Sequence, residues 1–338
     1  MEESGFIEPL SDEDLLTDED LAEQGDATSD YEPSEAESTF GSLTESVTEH
    51  VWEYGRRYHS FRYGRYPIPN DEEEYKREAL RHTMLKELLN GKLFLAPIGD
   101  NPQKIIDLGT GFGDWAIEVG ERFPGAKVTG VDLSPIQPVW VPPNVEFMID
   151  DIEDEWVQAN DYDLAHLCFV NTVIKDNESL FSKILQNLKP GGWVEVQDIV
   201  PRATSDDGTV PSDYPLNKFY SMLGGVLNDK YGFDLWAVEQ IPGLLQRLGY
   251  VNVQKKVYHM PLGEWAKDKH LRLLGGCFRE VVMDFVGAMA ARPLVEGGYD
   301  REEIDELVSS ITAAVMNRRI HAYMPIHFVW GQRPPASA

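Results

Sequence analysis

The stretch "IIDLGTGFGDW", residues 105–115, constrains the fold more than any other part of this 338-residue chain. An apolar run ends in Asp107, and Gly109, Gly111 and Gly113 follow at alternate positions before an amphipathic segment. Glycines placed between a strand and a helix let main chain turn tightly and come close to a ligand. The neighbourhood repeats the alternation. "KIIDL", "KVTGVDL", "VEFMIDD", "YDLAHLCFV" and "GGWVEVQDI" read as strands, and "DWAIEVGERF" and "SLFSKILQNL" as helices between them. Strands with near-continuous apolar runs, spaced by helices, imply βαβ units and a parallel sheet covered on both faces. Right-handed crossovers then bring the ligand site to the C-terminal ends of the strands.

Around this core, residues 101–200, four further segments are expected. Residues 1–49 hold 17 carboxylates and no lysine or arginine, against 41 acids and 30 bases in the rest, so most of the net charge of −28 is concentrated there. That composition reads as an acidic disordered tail. Within it "SDEDLL" and "TDEDLA" repeat, Ser11 and Thr17 each standing three residues before an acid as in a helix cap. Such a repeat suits phosphorylation or a protein partner. Residues 50–100 are expected to form a helical lid, rich in aromatic side chains and arginine, with Asn70 capping a helix that carries Leu80, Met84, Leu85, Leu88 and Leu89 and stops near Gly91. Residues 201–333 read as helical cap insertions plus the last two strands, broken near Pro293–Gly298, and 334–338 as a short tail.

Composition excludes several function classes. An acidic chain is a poor nucleic-acid binder, because such binding gains strength from neutralised phosphates. No run of eighteen apolar residues exists to span a membrane, and the N-terminus lacks a basic, apolar leader. Cys168 and Cys277 have no disulfide or metal-ligand spacing, so a cytoplasmic or nuclear location is expected. His321 and His327 share a face of the last strand but have no third ligand at a matching spacing, so no metal is expected.

The glycine loop narrows the ligand. A dinucleotide fold prefers G-x-G-x-x-G, and a phosphate loop carries Gly-Lys-Ser or Gly-Lys-Thr; here Gly113-Asp114-Trp115 would repel phosphate. An ammonium group is welcome near Asp107 and the loop carbonyls, which points to S-adenosylmethionine. Asp132 ends the second strand, 25 residues after Asp107, where a carboxylate can accept both hydroxyls of a ribose. Asp151 ends the third and is expected to meet the adenine amino group, with the Ile152 N–H on a ring nitrogen and Leu133, Ile152 and Trp156 against the ring faces.

The order Asp-x-Gly-x-Gly-x-Gly, Asp132, Asp151 and "LKPGGWVEV" resembles the class I S-adenosylmethionine-dependent methyltransferases. "YHSFRYGRYPIPNDEEE", "GVDLSPIQPVWVPPNVEFMIDDIEDEW" and "HAYMPIHFVWGQRP" resemble, more narrowly, the LaeA-like fungal methyltransferases of secondary metabolism, over about residues 51–333. The resemblance implies a Rossmann-like, mostly parallel sheet with an antiparallel last strand. It implies either methylation of a small fungal metabolite or a regulator acting in a nuclear complex. A nicotinamide oxidoreductase is a weaker rival. Phe112, Asp114, Cys168 and Asn177 depart from the family pattern, the last two near the reaction edge, which detaches this chain from any inherited acceptor. His166, at the end of the fourth strand, is the candidate base for a protonated acceptor. Arg65, with Arg62, is the candidate partner for the methionyl carboxylate, and Tyr58, with Tyr63 and Tyr66, for shutting out water.

Overall fold

A computed structural model of the protein describes residues 5–11, 14, 50–156 and 161–336. The chain runs through β1 (His50–Glu53), β2 (Arg56–His59), α1 (Glu72–Leu88), β3 (Lys104–Leu108), α2 (Asp114–Arg122), β4 (Lys127–Asp132) and β5 (Val145–Ile149). It continues through β6 (Tyr162–Cys168), α3 (Asn177–Asn187), β7 (Leu188–Ile199), α4 (Pro215–Tyr231), α5 (Ile241–Arg247) and β8 (Val251–Pro261). It closes with α6 (Lys269–Ala291), α7 (Pro293–Glu296), α8 (Arg301–Val315) and β9 (Tyr323–Gln332). A seven-stranded sheet has the order β5-β4-β3-β6-β7-β9-β8, parallel except for β9, which runs antiparallel to both neighbours. This is the Rossmann-like class I methyltransferase sheet.

The strand sequences explain the layering. Along β3, Ile105 packs with Trp115, Ala116 and Val119 of α2, whereas Ile106 and Leu108 pack with Leu180, Phe181 and Ile184 of α3. Burying both faces in this way contributes roughly 1.5–3 kcal/mol for each large apolar side chain. A third apolar layer joins α1, α4, α6 and α8 to Met260 of β8 and Met324, Ile326 and Phe328 of β9. The insertion between β8 and β9 therefore folds back over the end of the sheet instead of forming a separate unit.

Three features differ from the sequence reading. The segment 50–100 opens with an antiparallel hairpin, β1 against β2, before its helix begins. Asp71, not Asn70, caps α1 by accepting a hydrogen bond from the Glu74 N–H at 3.1 Å, while Asn70 is buried between Arg57 and Ser134. Asp71 also holds Arg56, its Oδ2 lying 2.5 Å from Nε, so one acid fixes both the helix start and the hairpin. The beginning of the acidic tail, finally, is docked. The Leu10 N–H donates to the Trp265 carbonyl at 2.8 Å, that of Lys267 donates to the Glu8 carbonyl at 2.8 Å, and Ile7 packs against the Trp265 cluster. Apolar Ile7 and Leu10 supply the burial that the tail's overall composition hides. Ser11 and Asp14 exchange the reciprocal hydrogen bonds of a capping box; the second repeat, from Thr17, lies outside the described residues.

Candidate active site

The β3–α2 loop needs its three glycines. Gly109, Gly111 and Gly113 have φ of +79°, +57° and +91°, a region that side chains disfavour. A Cβ on Gly109 would stand 2.8 Å from Val170 Cγ2, one on Gly111 2.7 Å from Glu78 Oε2, and one on Gly113 would overlap the Phe147 ring. The loop is therefore thin enough for main chain to form the wall of a cleft.

That cleft opens at the C-terminal ends of β3, β4 and β6, where strand order reverses. Gly109, Gly111, Asp132, Leu133, Asp151, Ile152 and Arg65 line it. Gly113 and Asp107 line an adjoining pocket that shares Gly109, Phe112, Glu78 and Arg81 with it. Asp132 accepts hydrogen bonds from the Gly111 N–H through Oδ2 and the Ser134 N–H through Oδ1, both at 2.9 Å. Burial nevertheless pushes its pKa up to about 7, against those two hydrogen bonds and with help from the charges of Glu78 and Asp107.

Other expected site residues are committed elsewhere. Asp107 Oδ1 lies 2.7 Å from His166 Nδ1, and Oδ2 accepts the Thr110 hydroxyl at 2.7 Å, so both carboxylate oxygens are engaged below the loop. His166 is fully buried, stacks on the Trp115 ring at 3.7 Å, and lines neither the cleft nor the adjoining pocket. It sits in register between Asp107 and Glu195 on neighbouring strands, so the parallel sheet seals it in. The expectation of a base at the reaction edge is corrected by that burial. Tyr58 is likewise fully buried in the hairpin with Arg292 over its ring at 4.6 Å, far from the role of a water shield.

Asp151 does reach the cleft, but its Oδ2 takes Arg62 and Arg65, each at 3.1 Å. Arg65 also binds Glu153 and the Val173 carbonyl, which ties 61–66 to the β5 end rather than to a ligand carboxylate. Trp156 lines a neighbouring cavity with Ile106, Leu108 and Met148, which shares Asp150, Asp151 and Ile152 with the cleft, so of the three expected ring contacts only Leu133 and Ile152 border the cleft itself.

The sequence reading expected the helix α1 but not its part in the site. Its Glu74, Glu78 and Arg81 line the cleft, and Arg81 Nη1 pairs with Glu78 Oε1 at 2.9 Å while its guanidinium covers the Phe169 ring at 4.7 Å. These positions are spaced four and three apart, one face of the helix, a spacing that does not tell what the face meets. The cleft thus holds five carboxylates (Glu74, Glu78, Asp132, Asp150, Asp151) against two guanidiniums (Arg65, Arg81). Of these, Glu74 and Glu78 pair with Arg77 and Arg81, and Asp151 pairs with Arg62 and Arg65.

Beyond Arg81, Tyr66 and Phe169 lies a further, smaller cavity. Tyr220 of α4 and Phe278, Val282 and Phe285 of α6 form its apolar walls, and Arg77, Thr172 and Asp198 its polar ones.

Comparison with known proteins decides the family. A family model described as a methyltransferase domain matches residues 80–255, more than half of the chain. The methyltransferase pytC of Aspergillus terreus is 34% identical over 304 residues, covering 89% of this chain and 93% of that protein. This chain is an S-adenosylmethionine-dependent methyltransferase. The methyltransferase is also similar to the secondary metabolism regulator LAE1 of Cochliobolus heterostrophus, 33% identical over 291 residues, with 84% of this chain and 94% of that one covered. A S-adenosylmethionine-dependent methyltransferase of Geobacter sulfurreducens, solved with S-adenosylhomocysteine, matches at 15% identity and a TM-score of 0.42 over 80% of this chain and 93% of that one. No group of three or more His, Cys, Asp or Glu among the described residues of the methyltransferase is arranged to hold a metal ion, and no described helix is long and apolar enough to cross a membrane.

Proposed function

We propose that the methyltransferase binds S-adenosylmethionine in the cleft between β3, β4 and α1 and methylates a small organic acceptor of fungal secondary metabolism. The single observation that carries this is the surplus of acids in the cleft: once Glu74 and Glu78 are paired with Arg77 and Arg81, and Asp151 with Arg62 and Arg65, Asp132 and Asp150 remain with no ion pair among the described residues, which suits a sulfonium and an ammonium and opposes the phosphates of a dinucleotide. Asp132, at the end of β4, accepts the ribose hydroxyls with the lone pairs its two backbone contacts leave over. Gly109 and Gly111 let main chain approach the amino-acid end, and Glu78, whose carboxylate stands over Gly111, receives the ammonium. Leu133 and Ile152 border the adenine, and Asp151 with Arg65 closes that end. When bound, the cofactor supplies an already activated methyl group, so the protein's part is alignment and exclusion of water.

Asp132→Ala is expected to weaken S-adenosylhomocysteine binding about 10–100-fold in calorimetry, as loss of charged hydrogen bonds implies. Unchanged affinity would reject the assignment.

A second reading, a regulator that acts through a protein partner of its acidic N-terminal segment, draws support from the similarity to LAE1. Transfer of a labelled methyl group into fractionated fungal extract separates the two. Label in small organic compounds supports the metabolite reading, and label confined to protein supports the regulator.

A further inference from the structure

The aromatic cavity beyond Arg81 has a chemistry that selects an acceptor. Resting on the cofactor placement above, we propose that it holds the methyl acceptor, that this is a compact, largely apolar molecule with a hydroxyl on an aromatic or enolic carbon, and that Asp198 is the base that removes the hydroxyl proton. The cavity is the cleft's neighbour: Tyr66, Arg81 and Phe169 line both.

Three observations define the class. The walls from α4 and α6 are Tyr220, Phe278, Val281, Val282 and Phe285, which favours a flat apolar body. The cationic groups there, Arg77 and Arg81, are matched on their own helix by Glu74 and Glu78. A carboxylate acceptor would compete with those pairs and face Asp198, and an ammonium acceptor would face two guanidiniums. A neutral, protonated acceptor remains.

Asp198 ends β7 in the cavity wall and is 1% exposed. It accepts the Ile199 N–H at 2.8 Å and the Asn171 N–H at 3.1 Å, main-chain contacts that fix the carboxylate and leave it lone pairs. Arg81 faces it from α1, where Arg77 also lines the cavity, the Cys168 thiol of β6 lies within electrostatic reach, and His327 stands in register beside it on β9; α4 and α6 contribute to the lining rings, aliphatic groups and the Tyr220 hydroxyl. Burial lifts its pKa to about 6, while burial lowers His327 to about 4 and so keeps that ring neutral. A carboxylate of that basicity suits a phenol, whose pKa is about 10, far better than an aliphatic alcohol.

The step balances. The acceptor hydroxyl passes its proton to Asp198, and the oxygen lone pair forms the new O–C bond as the methyl group's bond to sulfur breaks. Sulfur leaves as a neutral thioether, and Asp198 returns its proton to water.

Tritiated S-adenosylmethionine with 2-naphthol as acceptor, and 2-naphthoic acid as control, tests this on the full chain. The expected result is label in 2-naphthyl methyl ether and little in the ester, with kcat rising through a midpoint near pH 6. Asp198→Asn should cut kcat at least about 100-fold and abolish that rise while leaving S-adenosylhomocysteine affinity within twofold. Val282→Trp, which narrows the cavity, should raise KM for 2-naphthol at least tenfold. A protein that binds S-adenosylhomocysteine yet methylates no 2-naphthol overturns the acceptor class, and Asp198→Asn with an unaltered pH profile overturns the base. Absence of S-adenosylhomocysteine binding instead overturns the cofactor placement on which both rest.

Discussion

Removing the His166 imidazole would strand Asp107 Oδ1 without its partner and open a void beside Trp115, both at sites with almost no solvent access. His166→Ala is therefore expected to cost on the order of 3 kcal/mol of stability in urea unfolding, with little direct effect on acceptor turnover. Asp198 behaves oppositely. Its folded pKa, about 6, lies above the ordinary aspartate value of about 3.9, so the folded state holds the proton more tightly and stability falls as pH rises between those values. Above pH 6 the full penalty, about 3 kcal/mol, opposes folding. Asp198→Asn should accordingly raise Tm at pH 8 and lose that advantage at pH 4, which a scanning calorimeter can follow. Residue identity alone did not distinguish these two. A histidine at a strand end looks more like a base than an aspartate does, and only strand register reveals that β3 and β7 flank the histidine while Asp198, near the C-terminal end of β7, borders a cavity.

The β3–α2 loop and α1 are the two elements that shape the cleft, and they were unequally legible. The loop's glycines, the strand-end acids and the order of strands and helices follow from spacing, because backbone sterics and two-sided burial leave few alternatives. For α1 the core face was readable from Met84, Leu85 and Leu88, yet nothing local says that Glu74, Glu78 and Arg81 point at a loop thirty residues downstream. The hairpin escaped for a related reason: β1 and β2 are four residues each and mix charge with aromatic rings, so no period emerges. Asp71→Ala should loosen both, removing the α1 cap and the Arg56 pair together. We expect a loss of about 1–2 kcal/mol and a weaker hold on S-adenosylhomocysteine, measurable by thermal shift with and without it.

Over the whole molecule, the acidic N-terminal segment is anchored at both ends. Glu8 and Leu10 are bonded to the 265–267 stretch, and His50 begins a strand of the hairpin. Deleting residues 1–11 should lower stability by about 2 kcal/mol, the worth of burying Ile7 and Leu10 in part, and should red-shift the emission of Trp265, now 2% exposed. The two compartments are equally undivided in space, since Arg81 belongs to the wall of both the cleft and the aromatic cavity. A guanidinium shared by two compartments cannot settle independently for each. Whatever factor one guest adds to or takes from the other's affinity must be returned in equal measure, so a donor that tightens the hold on its acceptor will itself dissociate more slowly or rebind more strongly once that acceptor is aboard.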